Sequence, residues 1–275
     1  MANPVVLIPL DGSKDALAAL PVARVFAALE KAAIRVLHVT EAREPPGKTG
    51  ESLGLEAADL GGATIEVRAG PAGEAILAAA ADCGATLIVM CADSSAAEPA
   101  GAIGDTALAA LRRAHCPVVL VGAGSAPGDW ALRRVLAPHD GSPTVSEALK
   151  PAIHLARAAG AELLVLQVAG DEPVLETGSM PPPMYVDQVQ HSWPAWSGEF
   201  LHRLASVCPL EDLQVRLLVA HGGPADETVR VATEEAADLI VMAWRGHWES
   251  VRDSMLKILV RDAPCPVLVT RVGAA

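Results

Sequence analysis

Apolar and polar positions along the chain fall into two alternating kinds of segment. Short runs rich in β-branched and other apolar residues occupy 5–10, 35–40, 64–68, 86–90 and 117–121. Longer Ala-rich stretches such as 15–31 and 72–83 separate them. The short runs are apolar almost throughout instead of alternating, which is the mark of strands buried on both faces. Strands of that kind separated by helices predict a parallel sheet, doubly wound because right-handed crossovers place helices on both sides. In such a sheet ligands sit beyond the carboxyl ends of the strands.

The same pattern is written twice. "VVLIPLDGS" at 5–13 answers "RVLAPHDGS" at 134–142, which sets Asp11 over Asp140 at a spacing of 129. Val39 falls over Val168 at that spacing, Met90 over Met242 at 152, and Cys116 over Cys265 at 149. Gly70-Pro71 likewise answers Gly223-Pro224. The second copy therefore carries about 23 additional residues between its second and third strands and three fewer after Ile-Val-Met. The expected division is a first domain at 1–124, a linker at 125–131 and a second domain at 132–275, with an insertion at about 170–205. The linker is rich in Gly and Pro but short, so the two domains should touch.

Asp11 and Asp140 fall at ligand-facing strand ends, where they serve either a ligand or the local turn of Asp-Gly-Ser. Ser13 and Ser142 are placed as helix N-caps, with Pro143 at a first helical position. Pro21 and Pro151 lie deeper in the same predicted helix of each copy and should kink it.

Charge and cysteine usage narrow the function. A formal net charge of −12 over 275 residues opposes a surface that coats nucleic acid or an anionic membrane. The five cysteines form no CxxC pair and read as reduced thiols of a cytosolic protein. Cys116 and Cys265, each before a proline, suit core packing. The amino terminus lacks a signal-peptide pattern, and no uncharged apolar stretch is long enough to span a bilayer. A cytoplasmic protein with no nucleic-acid or membrane partner is expected. Neither a P-loop nor a GxSxG elbow occurs, and no His or Cys spacing marks a metal site.

Taken in order, the strand-end "LDGS", the "HV" of the second strand, the Gly-Pro before the third helix, "DLIVM" and the closing "CPVLV" resemble the universal stress protein family, twice over. The resemblance implies a five-stranded α/β domain in each copy, joined in tandem. It also implies pairing through the last strands, 117–121 and 266–270, within one chain or between chains. Some members of that family bind ATP through G-x2-G-x9-G-[ST] directly after the Ile-Val-Met strand, with the strand-end Asp and the Val of the second strand holding adenosine. Glycines there let backbone N–H groups approach phosphates ahead of a helix N-terminus.

In the first copy the motif positions hold Cys91, Ser94, Gly104 and Asp105, of which Gly104 alone matches. In the second they hold Ala243, Gly246, Asp253 and Ser254, of which Gly246 and Ser254 match. The candidate nucleotide-binding residues are thus Asp140, Val168, Gly246 and Ser254 in the second copy, and Asp11, Val39 and Gly104 in the first. Both copies place a carboxylate, Asp105 or Asp253, at the helix start. It complements the helix dipole there and repels a triphosphate unless a cation such as Mg²⁺ lies between.

The resemblance thus implies a tandem stress-response protein that binds and docks, with neither nucleophile nor general base to identify an enzyme. The alternatives are an ATP-binding, slowly hydrolysing switch centred on the second copy, and a half-site binder of adenosine or AMP. Trp244 and Trp248 either stack on a base or fill the space one would occupy. Tyr185, Trp193, Trp196 and Phe200 gather in or beside the insertion, as a lid or protein-docking surface or as cover for the sheet edge.

Overall fold

The computed structural model describes residues 3–40, 53, 62–92, 103–122, 125–126, 128–139, 143–169, 212–244 and 251–272. For 143–148, 169 and 251–254 the description is of backbone alone. In the first copy the chain forms β1 (Val5–Leu10), α1 (Ala19–Glu30), β2 (Ala33–Thr40), β3 (Thr64–Ala69), α2 (Ala72–Cys83), β4 (Ala85–Cys91), α3 (Asp105–Arg113) and β5 (Val118–Val121). The second copy repeats the order with β6 (Arg134–Pro138), α4 (Pro143–Ala159), β7 (Glu162–Ala169), β8 (Val215–His221), α5 (Pro224–Glu234), β9 (Leu239–Trp244), α6 (Val251–Asp262) and β10 (Val267–Arg271).

Local chemistry sets the helix ends. The stretch predicted as one helix over 15–31 is a 3₁₀ turn at Ala16–Ala18 followed by α1. Pro21 therefore lies in the first turn of α1, where a missing N–H is tolerated, instead of at the interior, kinking position expected. Pro151 is interior to α4, as the pattern indicated. Gly84 ends α2 at φ 62, and its N–H caps the carbonyls of Ala80 and Ala81.

Among the described residues ten strands form one sheet, in the order β3-β2-β1-β4-β5-β10-β9-β6-β7-β8. Each half is parallel throughout. The halves meet in one antiparallel pair, β5 with β10, so the last strands pair within the chain. Both edges of β5 and of β10 are occupied, and the outer strands of the sheet are β3 and β8. Because the seam is antiparallel, the carboxyl ends of the strands in the two copies point in opposite directions.

The sheet is covered on both faces. α1 and α4 lie over one, burying Phe26, Val36, Val89, Val119, Leu155 and Leu268 among others. α2, α3, α5 and α6 lie over the other, against Leu7, Ile88, Leu120, Ile240 and Trp244. Every residue of β9 is buried, which is why its sequence shows no alternation. The alanine-rich helices pack closely, so that a Cβ built on Gly73 of α2 would lie 2.9 Å from the Cβ of Ala109 in α3. Among the described residues no helix is long and apolar enough to cross a membrane.

The linker is a structural element in its own right. Trp130 is buried, its ring centroid 5.9 Å from that of Phe26 in the first copy. Its indole N–H donates to the carbonyl of Asp238 in the second copy at 3.2 Å. The Asp238 carboxylate in turn accepts the backbone N–H groups of Arg133 and Arg134 at 2.8 and 2.9 Å. On the same face Glu30 of α1 and His154 of α4 meet at 2.8 Å.

Candidate functional site

Strand order places the crevice for a ligand where β1 separates β2 from β4, at the carboxyl ends of these strands. In the first copy the structure brings Asp11, Val39 and Gly104 to that end. Asp11 follows β1 and is exposed, and its Oδ1 accepts the N–H of Ser13 at 2.8 Å. The Ser13 hydroxyl oxygen accepts the N–H of Ala16 at 3.1 Å, but the N-cap position of the 3₁₀ turn is Asp15 and that of α1 is Ala18, so Ser13 braces the turn ahead of the helix instead of capping it as expected. Gly12 between them takes φ 89, a conformation that suits glycine.

Val39 is half-buried near the end of β2 and packs against the four-helix face. Beside it the Nδ1–H of His38 donates to the carbonyl of Leu10 at 2.9 Å and ties β2 to the end of β1. Gly104 is the buried N-cap of α3, and its N–H donates to the carbonyl of Ala92 at 3.1 Å. Asp105 opens α3 while Arg112 and Arg113 close it, a charge order that complements the helix dipole.

In the second copy Val168 occupies on β7 the place that Val39 holds on β2, half-buried against the same face. Ser254 lies in the first turns of α6, at the carboxyl end of β9, and is described by backbone alone. Asp140 and Gly246 lie outside the described residues, as do Trp248 and the insertion at 170–205 with its aromatic residues. His139, the residue before Asp140, is buried, and its backbone N–H donates to the carbonyl of Leu166 at 2.7 Å.

Trp244 ends β9 at 1% exposure, inside the core of the four-helix face. Its counterpart in the first copy is Ala92, equally buried. The indole therefore fills interior space and is not presented to a base. Cys116 and Cys265 are embedded in that face as well. Burial pushes the Cys265 thiol up to about 12 and the Cys116 thiol up to about 11, so neither is an activated nucleophile.

Trp130, His38 and His139 are contributions that periodicity did not single out. An isolated large aromatic in a Gly- and Pro-rich linker was the available signal for Trp130. His38 stands in the "HV" of the second strand and His139 directly before Asp140, so the sequence sets both near strand ends, but the bond each makes depends on the sheet register.

The model of the universal stress protein family matches the chain twice, over residues 3–122 and 131–271. The chain is 29% identical over 147 residues to universal stress protein YxiE of Bacillus subtilis, a match covering 50% of this chain and 98% of that protein. It is 26% identical over 147 residues to universal stress protein MJ0531 of Methanocaldococcus jannaschii, covering 52% of this chain and 85% of that one. Among solved structures, a universal stress protein from Archaeoglobus fulgidus superposes with a TM-score of 0.66 at 21% identity, covering 99% of this chain and 97% of its own. A putative universal stress protein from Pseudomonas aeruginosa does so with 0.69 at 16%, covering 98% and 94%. The chain belongs to the universal stress protein family, with two family domains in tandem.

Proposed function

We propose that this tandem universal stress protein serves a stress response in the cytoplasm by binding and docking, without chemical turnover of its own. In this reading the first copy is a structural half, and the second retains what nucleotide recognition remains. One observation carries it. The Asp11 carboxylate that would meet an adenosine accepts the Ser13 N–H at 2.8 Å, inside its own turn. Asp105 adds a second carboxylate at the helix start, where a phosphate would rest.

The second copy keeps Gly246 and Ser254 of the phosphate motif, together with Asp140 and Val168 for the adenosine. ATP taken there would need Mg²⁺ between its phosphates and Asp253. The insertion at 170–205, which gathers Tyr185, Trp193, Trp196 and Phe200, is the surface proposed for a protein partner.

The test is to denature protein purified without added nucleotide and to count released adenine nucleotides per chain by mass spectrometry. Thermal shift with Mg-ATP, ATP alone and adenosine follows. No release and no shift support the docking reading. Close to one ATP per chain would replace it with the ATP switch, and AMP or adenosine alone with the half-site binder.

A further inference from the structure

On the face covered by α1 and α4, a cavity of about 150 Å³ lies over the seam between the copies. Phe26, Thr86 and Leu87 line it from the first copy, Leu155 and Leu268 from the second. Phe26, Leu155 and Leu268 are almost wholly buried, while the paired side chains of Glu30 and His154 are 30% and 63% exposed and form its rim. Thr86 and Leu87 begin β4, so the cavity is at the opposite end of that strand from Asp11 and Gly104.

The pseudo-twofold relation between the copies shows what such a space accepts. Sheet register equates the halves: Val6 pairs with Leu87 as Val135 pairs with Leu239, and Ile88 with Val118 as Ile240 with Val267. Under that relation Phe26 corresponds to Leu155, Thr86 to Asp238 and Leu268 to Val119. The cavity therefore has a mate on the other side of the seam, bounded by Leu155, Asp238, Val119 and, again, Phe26. That mate position is filled. Trp130 of the linker packs there on Phe26 and donates its ring N–H to the Asp238 carbonyl. The counterpart of Trp130 by the same spacing is residue 1, outside the described residues, and none of the residues lining the cavity corresponds to the indole.

We propose that the cavity is a binding site for a small planar heteroaromatic molecule bearing a ring N–H, of the size and shape of indole. Such a ring reproduces on the first-copy side what Trp130 supplies on the second. Its face lies against Phe26 and Leu155, and its N–H is directed to the carbonyl of Thr86, the counterpart of Asp238. Cavities of this volume lined by aliphatic and aromatic carbon accept a benzene-sized ring. The carboxylate at the rim disfavours anionic ligands, which separates this site from any nucleotide site.

Indole itself is the probe, titrated into the full chain by calorimetry and by ligand-observed NMR. One indole per chain is expected. Leu155→Trp and His154→Trp should each weaken it by about tenfold or more, because a filled cavity has no room for a second ring. His154 is the more exposed position, and its variant keeps the native circular dichroism even where Leu155→Trp does not. Indene, which has the same shape without the N–H, should bind about fivefold less tightly, as for one lost hydrogen bond. No binding up to the solubility of indole, or binding unchanged in the His154→Trp protein, overturns the site. Equal binding of indene overturns the donor role of the N–H.

Discussion

Val119 and Leu268 are partners across the one antiparallel seam of the sheet, and each is the other's counterpart in the two copies. Val118 opposite Val269 and Leu120 opposite Val267 are arranged symmetrically about them. The local twofold relation of the fold therefore passes between these two side chains, both buried beneath α1 and α4.

Truncation at that point should weaken both halves together. Leu268→Ala is expected to cost about 2–5 kcal/mol, the range for a buried leucine. Because Val119 is its direct neighbour, the double variant should depart from additivity by about 0.5–3 kcal/mol. Urea denaturation of the four proteins of the cycle measures both. Simple additivity would mean that the seam does not couple the copies.

Trp130→Ala should cost about 3–5 kcal/mol, as for a buried aromatic, although the residue belongs to a linker. Trp130→Phe keeps a ring on Phe26 but strips the donor from the Asp238 carbonyl, at a cost of about 1–3 kcal/mol. Equilibrium unfolding gives both values, and effects as small as those of surface changes would show the linker to be a passive tether.

At Gly73 two effects compete. Ala is ordinarily better than Gly by about 0.5–1 kcal/mol in a helix interior, and Gly73, second in α2, should gain no more than that. Here the new Cβ would lie 2.9 Å from that of Ala109, and neither atom is the end of a flexible chain. Overpacking should win, with a net loss of about 1–3 kcal/mol for Gly73→Ala. Adding Ala109→Gly should recover most of it, which a comparison of melting temperatures will show.

Cys265 predicts an alkaline weakness. Burial, with a further contribution from Asp238, raises its folded pKa to about 12 from 9.0. Between these values the unfolded chain has lost the proton and the folded chain has kept it, so stability falls as pH rises through that window. Below pH 9 the thiol is neutral in both states and the full stability remains. Denaturant midpoints from pH 8 to 11 should decline, and Cys265→Ala should remove its share of the slope. An unchanged slope in the variant would assign the decline to other groups, Cys116 first among them.

The duplicated pattern carried most of the fold in advance, because near-continuous apolar strands and Ala-rich helices are local properties. β1 and α2 have the bounds that periodicity indicates. The direction in which β5 meets β10 was not legible, since a run such as Val118–Val121 pairs equally well either way until its neighbours are in place. Trp130 was missed for a related reason: Phe26 and Asp238 stand far from it on opposite sides in sequence. At the candidate site, residue types alone left Asp11 divided between ligand and turn, and the bond from Ser13 now supplies the turn half of that reading. For Trp244 the choice between stacking and filling depended on which way the side chain of β9 faces, and burial answers it.

The linker has one more consequence, for how the molecule can change. In a dimer of separate chains every substitution appears on both sides of the axis, so a residue that suits one side is imposed on the other. Here the halves share a sheet but not a codon. Trp130 can occupy one flank of the seam while Phe26, Leu155 and Leu268 line a cavity on the other, and Trp244 can enlarge one core while Ala92 leaves the other small. Covalent joining has freed each half to inherit its own alterations, and the asymmetry around Val119 and Leu268 is the record of that freedom.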